Sequence, residues 1–89
     1  MFYIFRRNVG GRIHDTYIED YKDAESYMLW WIEDCRLAGW SIGRTDKGFN
    51  IDKGLGYYDV YGTTPDGEDA VWSLLEGHFT YPYTPKKSN

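Results

Sequence analysis

One cysteine, Cys35, and two histidines, His14 and His78, carry most of the nucleophilic and imidazole chemistry available to this chain of 89 residues. A Cys–His nucleophile pair needs an exposed thiol activated by its neighbour. Cys35 instead falls on the apolar stripe of a predicted helix, where a thiol behaves as a small hydrophobe. His14 and Asp15 are adjacent in a predicted strand, so their side chains point to opposite faces. His78 follows the end of a predicted helix, where a cation is welcome. Two histidines and one cysteine without ligand spacing make no zinc site. Asp46, Asn50 and Asp52 place oxygen ligands close together, but the pattern departs from an EF-hand loop and lacks its terminal Glu. Gly54-Leu55-Gly56 reads as a turn rather than a phosphate-binding or dinucleotide loop. Carboxylates are plentiful, and nothing singles out one pair for acid–base work. The expectation is a chain that is not an enzyme and carries no metal or cofactor.

Binding is the other reading of this composition. Four Trp, nine Tyr and four Phe stand in 89 residues. A chain of this length forms one domain and buries roughly 60–65% of its unfolded surface. Each buried aromatic takes about 150–250 Å² out of water, so some of the seventeen must form the core. The remainder are of the types that anchor interfaces. The net charge of −4 is unevenly placed. Residues 1–12 hold Arg6, Arg7 and Arg12 and no acid, whereas residues 15–34 hold seven acids against Lys22 alone. Residues 59–76 add five more acids and no base. Such a chain repels phosphate, which disfavours general nucleic-acid binding, and suits a protein partner with a basic surface.

A single cysteine allows no intramolecular disulfide, which favours a reducing compartment. The N-terminal arginines follow a short apolar run, the reverse of a signal peptide. No apolar run approaches the ~20 residues that span a bilayer. The expectation is a soluble, cytoplasmic protein with no membrane partner.

The elements that must position these residues are read in order. Residues 2–7 and 12–18 are aromatic and β-branched, and Asn8-Val9-Gly10-Gly11 between them predicts a hairpin turn. Strand 1 is apolar on both sides, so it is expected to be central in a sheet or else to meet a partner with one face. Asp23 is the expected N-cap of a helix that Gly39 stops, with Ala24, Tyr27, Met28, Trp31, Ile32, Cys35 and Ala38 on its apolar stripe. Three short strands are expected at 40–44, 49–52 and 57–61, separated by turns at 45–48 and 53–56. Thr64-Pro65 predicts the start of a second helix whose apolar face is Val71, Leu74 and Leu75, ending at Gly77. Residues 79–83 alternate aromatic with other residues and could add an edge strand. The expected fold class is α+β, an antiparallel sheet with one long and one shorter helix in the order ββαβββα. Residues 1–85 are read as the single domain and 86–89 as a C-terminal tail.

The long helix holds the sharpest functional feature. At roughly 100° per residue, Leu29, Trp30 and Leu37 lie about 125–145° from the centre of the core stripe, amid Ser26, Glu33 and Asp34. An exposed Trp beside two Leu, rimmed by acids, is an interface anchor of the hot-spot type. These six residues form the expected partner-binding surface. Small, acidic, aromatic-rich domains of this kind are common among phage and mobile-element inhibitors that occlude a host defence enzyme, of anti-CRISPR or anti-restriction type. Two alternatives stand beside that reading. Tyr3, Phe5, Arg6 and Arg7 could stack single-stranded bases on the first strand, although no RNP motif is present. The chain could also be a homodimeric structural protein. Pro82-Tyr83-Thr84-Pro85 followed by Lys86-Lys87 matches the minimal SH3-ligand pattern, which short chance matches also satisfy.

Overall fold

Val9 and Arg12 face each other across the two glycines of the first turn. Gly10 and Gly11 both take positive φ, 55° and 86°, the backbone that a two-residue hairpin loop requires. The Gly11 N–H donates to Asn8 Oδ1 at 3.1 Å and closes the turn from the side-chain direction. The strands β1 (Tyr3–Val9) and β2 (Arg12–Ile18) extend from it in antiparallel register. The computed structural model describes residues 3–50 and 55–76; the predicted edge strand at 79–83, the 86–89 tail, His78 and the Pro82–Lys87 motif lie outside the described residues.

The helix α1 (Tyr21–Leu37) follows. Its N-cap is Asp20, one helical turn earlier than the sequence pattern places it: the Asp20 backbone is extended, and its carboxylate accepts from the Asp23 N–H at 3.1 Å. Asp23 sits in the first turn, where its charge meets the positive end of the helix dipole. The expected stop at Gly39 is present. Gly39 takes φ 96°, with Trp40 N–H donating to the Cys35 carbonyl and Gly39 N–H to that of Arg36, the paired bonds of a Schellman motif.

Beyond the helix lie β3 (Ser41–Asn50), β4 (Leu55–Thr63) and β5 (Asp69–Glu76). The turn predicted at 45–48 does not form. Residues 41–50 run as one strand against β4, with a register shift between Ile42 and Thr45 that absorbs Gly43 and Arg44 opposite Tyr61. The second helix is also corrected. Residues 64–67 make a tight loop, with Gly67 at φ 91° and the Glu68 N–H donating to Thr64 Oγ1 at 3.0 Å. The Pro-Asp-Gly sequence there is turn chemistry rather than a helix start. Residues 69–76 then form β5, the central strand. The spacing of Val71, Leu74 and Leu75 imitated a helix because a strand buried on both faces is apolar at odd and even positions alike.

The element order is therefore ββαβββ, and the five strands stand β2-β1-β5-β4-β3, every neighbouring pair antiparallel. β1 is an interior strand, paired on both edges by β2 and β5, in keeping with its two apolar faces. The helix links β2 to β3, the two outer strands, and so crosses one face of the whole sheet. Phe5, Val60, Ala70, Trp72 and Leu74 on that face pack with Ala24 and Met28 of the helix. Trp40 tilts against Trp72 at 5.8 Å between ring centroids and pins the helix exit to the core.

Candidate functional site

The inner stripe of α1 is held by the sheet. Ala24 and Met28 are fully buried, and Tyr21, Trp31, Ile32 and Cys35 pack at the edge of the same cluster. The opposite side is open. Leu29, Trp30 and Leu37 are 45%, 59% and 73% exposed, and Ser26, Glu33 and Asp34 around them are exposed as well. All six residues singled out by the helical wheel thus lie on the water side of α1.

Trp30 is not a loose ring. It meets Trp31 edge to face, with centroids 5.3 Å apart and an interplanar angle of 81°. Trp31 touches Tyr27 in the same way at 6.3 Å, and Tyr27 touches the buried Phe5 at 5.5 Å. On Trp31 the Arg7 guanidinium lies 4.2 Å from the ring centroid. A ladder of rings therefore runs from Phe5 in the core to Trp30 in water. Its members come from β1 and α1, so helix periodicity alone does not reveal it. The consecutive Trp30-Trp31 pair was its one sequence signal.

The rim charge differs from a simple count of acids. Arg36 clasps Glu33 through two guanidinium nitrogens, with the Nε contact at 2.9 Å. The hydrogen bond from Arg36 holds the Glu33 carboxyl below its ordinary range and keeps it ionised. Asp34 carries the remaining negative charge beside Trp30 and Leu37.

The first strand distributes its four candidate residues over both faces. Phe5 is fully buried beneath the helix, and Tyr3 meets Tyr21 edge on at 5.4 Å. Arg6 points to the helix-free face, where Asp15 accepts from its Nε at 2.7 Å and from its second guanidinium nitrogen at 2.8 Å. That bidentate clasp raises the Arg6 pKa further above an already high value. Arg7 lies on Trp31. The strand's four residues present no continuous row of open rings and cations.

His14 and Asp15 point to opposite faces of β2, since Asp15 opposes Arg6 and His14 opposes Arg7. Cys35 is half-buried, and burial together with Asp34 pushes its thiol pKa up, which disfavours the thiolate. Among the described residues no three His, Cys, Asp or Glu side chains converge as metal ligands. Asp46 lies in β3; the Asn50 side chain and Asp52 are outside the described residues. A shallow cleft of about 290 Å³ opens at the start of the helix between Tyr3, Tyr21, Lys47 and Tyr58. Lys47 spans it, 4.9 Å from the Tyr58 ring and 3.8 Å from Glu25. No helix among the described residues is long and apolar enough to cross a membrane.

No protein-family model, curated protein or solved structure matches the chain.

Proposed function

We propose that this protein is a non-catalytic binding domain that docks a protein partner with a basic surface through the outer face of α1. Trp30 is the anchor, Leu29 and Leu37 widen the apolar contact, and Ser26, Glu33 and Asp34 form its polar rim. The observation that carries this reading is the edge-to-face contact of the exposed Trp30 with Trp31 at 5.3 Å. A large ring already braced in place loses little freedom on binding, so more of its burial appears as affinity. The acidic balance of the chain supplies the complementary charge. The partner class we favour is a nucleic-acid-handling enzyme whose basic groove the acidic domain occludes, as a phage or mobile-element inhibitor of anti-CRISPR or anti-restriction type would do. Phe5, buried under the helix, offers no ring face to a base, so stacking of single strands on β1 gains no support.

The test couples capture to quantitative binding. Partners captured by the wild-type chain are identified by mass spectrometry, purified, and titrated against wild type and Trp30→Ala. The expected outcome is a loss of about 2 kcal/mol in binding, roughly 30-fold, with affinity falling as salt rises. Equal affinity for the variant overturns the assignment of Trp30. A monomer–dimer equilibrium in ultracentrifugation that Trp30→Ala abolishes would replace it with self-association through the same face.

A further inference from the structure

β2 pairs with β1 from Arg12 to Ile18 without a break in register. It stands at one end of the strand order, and among the described residues no strand lies outside it. The direction of its backbone groups follows from the ladder on the far side of β1. The Gly10 N–H donates to the Asp69 carbonyl at 2.9 Å, so the even positions of β1 face β5 and the odd ones face β2. Those odd positions oppose Arg12, His14, Thr16 and Ile18, which therefore exchange their bonds with β1. Ile13, Asp15 and Tyr17 turn their N–H and C=O groups outward. The other outer strand, β3, is interrupted by the register shift between Ile42 and Thr45, and a bulge of that kind turns an edge away from pairing.

The side chains of this edge match a copy of themselves. Ile13, Asp15 and Tyr17 share the helix-free face, where Asp15 opposes Arg6. Ile13 is 49% and Tyr17 66% exposed, and they stand symmetrically about Asp15. When a second β2 lies antiparallel alongside with Asp15 at the centre, Ile13 falls opposite the second copy's Tyr17, and Tyr17 opposite its Ile13. Outward backbone groups meet outward groups in that register. A shift of one residue sets them against inward ones, and a shift of two sets Ile13 or Tyr17 against Asp15. Like charges directly opposite destabilise a strand pair. Each Asp15, however, accepts two bonds from Arg6, at 2.7 and 2.8 Å, and so arrives as an ion pair rather than a bare charge. The strand ends are complementary as well: Arg12 at the start of one β2 stands beside Glu19 and Asp20, just past the end of the other, and the two-fold axis repeats the contact.

The geometry points to β2 as a homodimer edge: two copies of this chain pair antiparallel through residues 12–18, with Asp15 at the two-fold axis, and one five-stranded sheet continues into the next. The axis is perpendicular to the sheet, so both α1 helices lie on the same face of the joined sheet. This surface is separate from the outer side of α1 and stands or falls independently of the binding role of Trp30.

Sedimentation velocity of the full chain, from about 10 μM to about 1 mM, reads the dimer. The expected result is a monomer–dimer equilibrium that Ile13→Lys weakens about 10-fold, because the substitution enters the interface twice. Circular dichroism of that variant is expected to keep the native signal, since Ile13 is exposed. Trp30→Ala is expected to leave the equilibrium unchanged. A chain that stays monomeric at about 1 mM overturns the proposal, and so does a dimer that survives Ile13→Lys at full strength or is lost with Trp30→Ala. Disulfide trapping under oxidised glutathione, in a Cys35→Ala background, reads the register without a charged substitution. Ile13→Cys mixed with Tyr17→Cys is expected to give a covalent dimer, since opposite Cα atoms stand about 5.5 Å apart. Either variant alone is expected to give none, its like positions being roughly 14 Å apart. Trapping of Ile13→Cys with itself as fast as in the mixture, or no trapping in the mixture, overturns the pairing.

Discussion

Replacing Gly62 with alanine should cost more than any other single methyl added to this sheet. Gly62 lies on β4 opposite Ala70, and its missing side chain faces the helix side of the sheet. A Cβ there would stand 2.6 Å from the Ser41 carbonyl oxygen and 2.8 Å from Cζ3 of Trp72, where ordinary contact begins at 3.4 Å. Neither neighbour can yield cheaply. The carbonyl is fixed in the β3–β4 ladder, and Trp72 is fully buried against Trp40. Gly62 is not among the glycines with positive φ, so backbone strain adds nothing and the penalty is steric. Overpacking of this kind costs about 1–3 kcal/mol. Against it stands the gain of about 0.4–1 kcal/mol from a stiffer unfolded chain. The net loss is roughly 1–2 kcal/mol, which for a chain of this size lowers Tm by about 4–16 °C. Thermal unfolding followed by circular dichroism reads it directly. Gly43→Ala is the matched control, since its Cβ would meet only the Tyr61 carbonyl at 3.4 Å and its φ is not positive; it should be neutral or slightly stabilising. A Gly62→Ala chain melting within about 2 °C of wild type (half the smallest expected shift), or above it, would show that the ring of Trp72 does not occupy this position and would refute the packing of the Trp40–Trp72 corner.

Asp20→Ala should destabilise the chain by about 1 kcal/mol through loss of the helix cap, and Asp23→Ala by less; the reverse order in urea unfolding would return the cap to Asp23. Asp15→Ala removes both acceptors of the half-buried Arg6 clasp and should cost about 1–3 kcal/mol in the same assay, with no measurable loss counting against the clasp. Burial raises the pKa of Tyr21 and Tyr61, aided by Glu25 and Asp59 respectively. A group that holds its proton more tightly when folded stabilises the native state fully below its unfolded pKa and loses that contribution as pH rises. Stability should therefore fall above about pH 10, the ordinary tyrosine value, and Tyr21→Phe or Tyr61→Phe should flatten that fall. An unaltered alkaline slope in both variants would assign it to other groups.

Features legible in the sequence were those settled by neighbours along the chain. The Gly10-Gly11 hairpin needs two positive φ values and nothing distant. The long helix, its stop at Gly39 and its two faces follow from a 3.6-residue period, so Leu29, Trp30 and Leu37 could be placed on the water side before any contact was known. The N-cap slipped because Asp20 and Asp23 are both competent, and the choice depends on where the chain leaves β2.

Tertiary structure decided whatever depends on pairing across the chain. Residues 69–76 satisfy a helical spacing and a two-sided strand equally well, and only the empty place between β1 and β4 selects the strand. The turn expected at 45–48 was overruled in the same way, since β4 offers partners from Thr45 through Asn50. Arg6 was a candidate for contact with single-stranded bases until hairpin register set Asp15 opposite it. Trp30 is exposed by the helix's own geometry, but the ring it leans on joins a ladder whose base is Phe5 of β1. Local rules govern dihedrals and faces within one element, whereas a strand's identity and a side chain's contacts are set by whichever distant segment fills the space beside it.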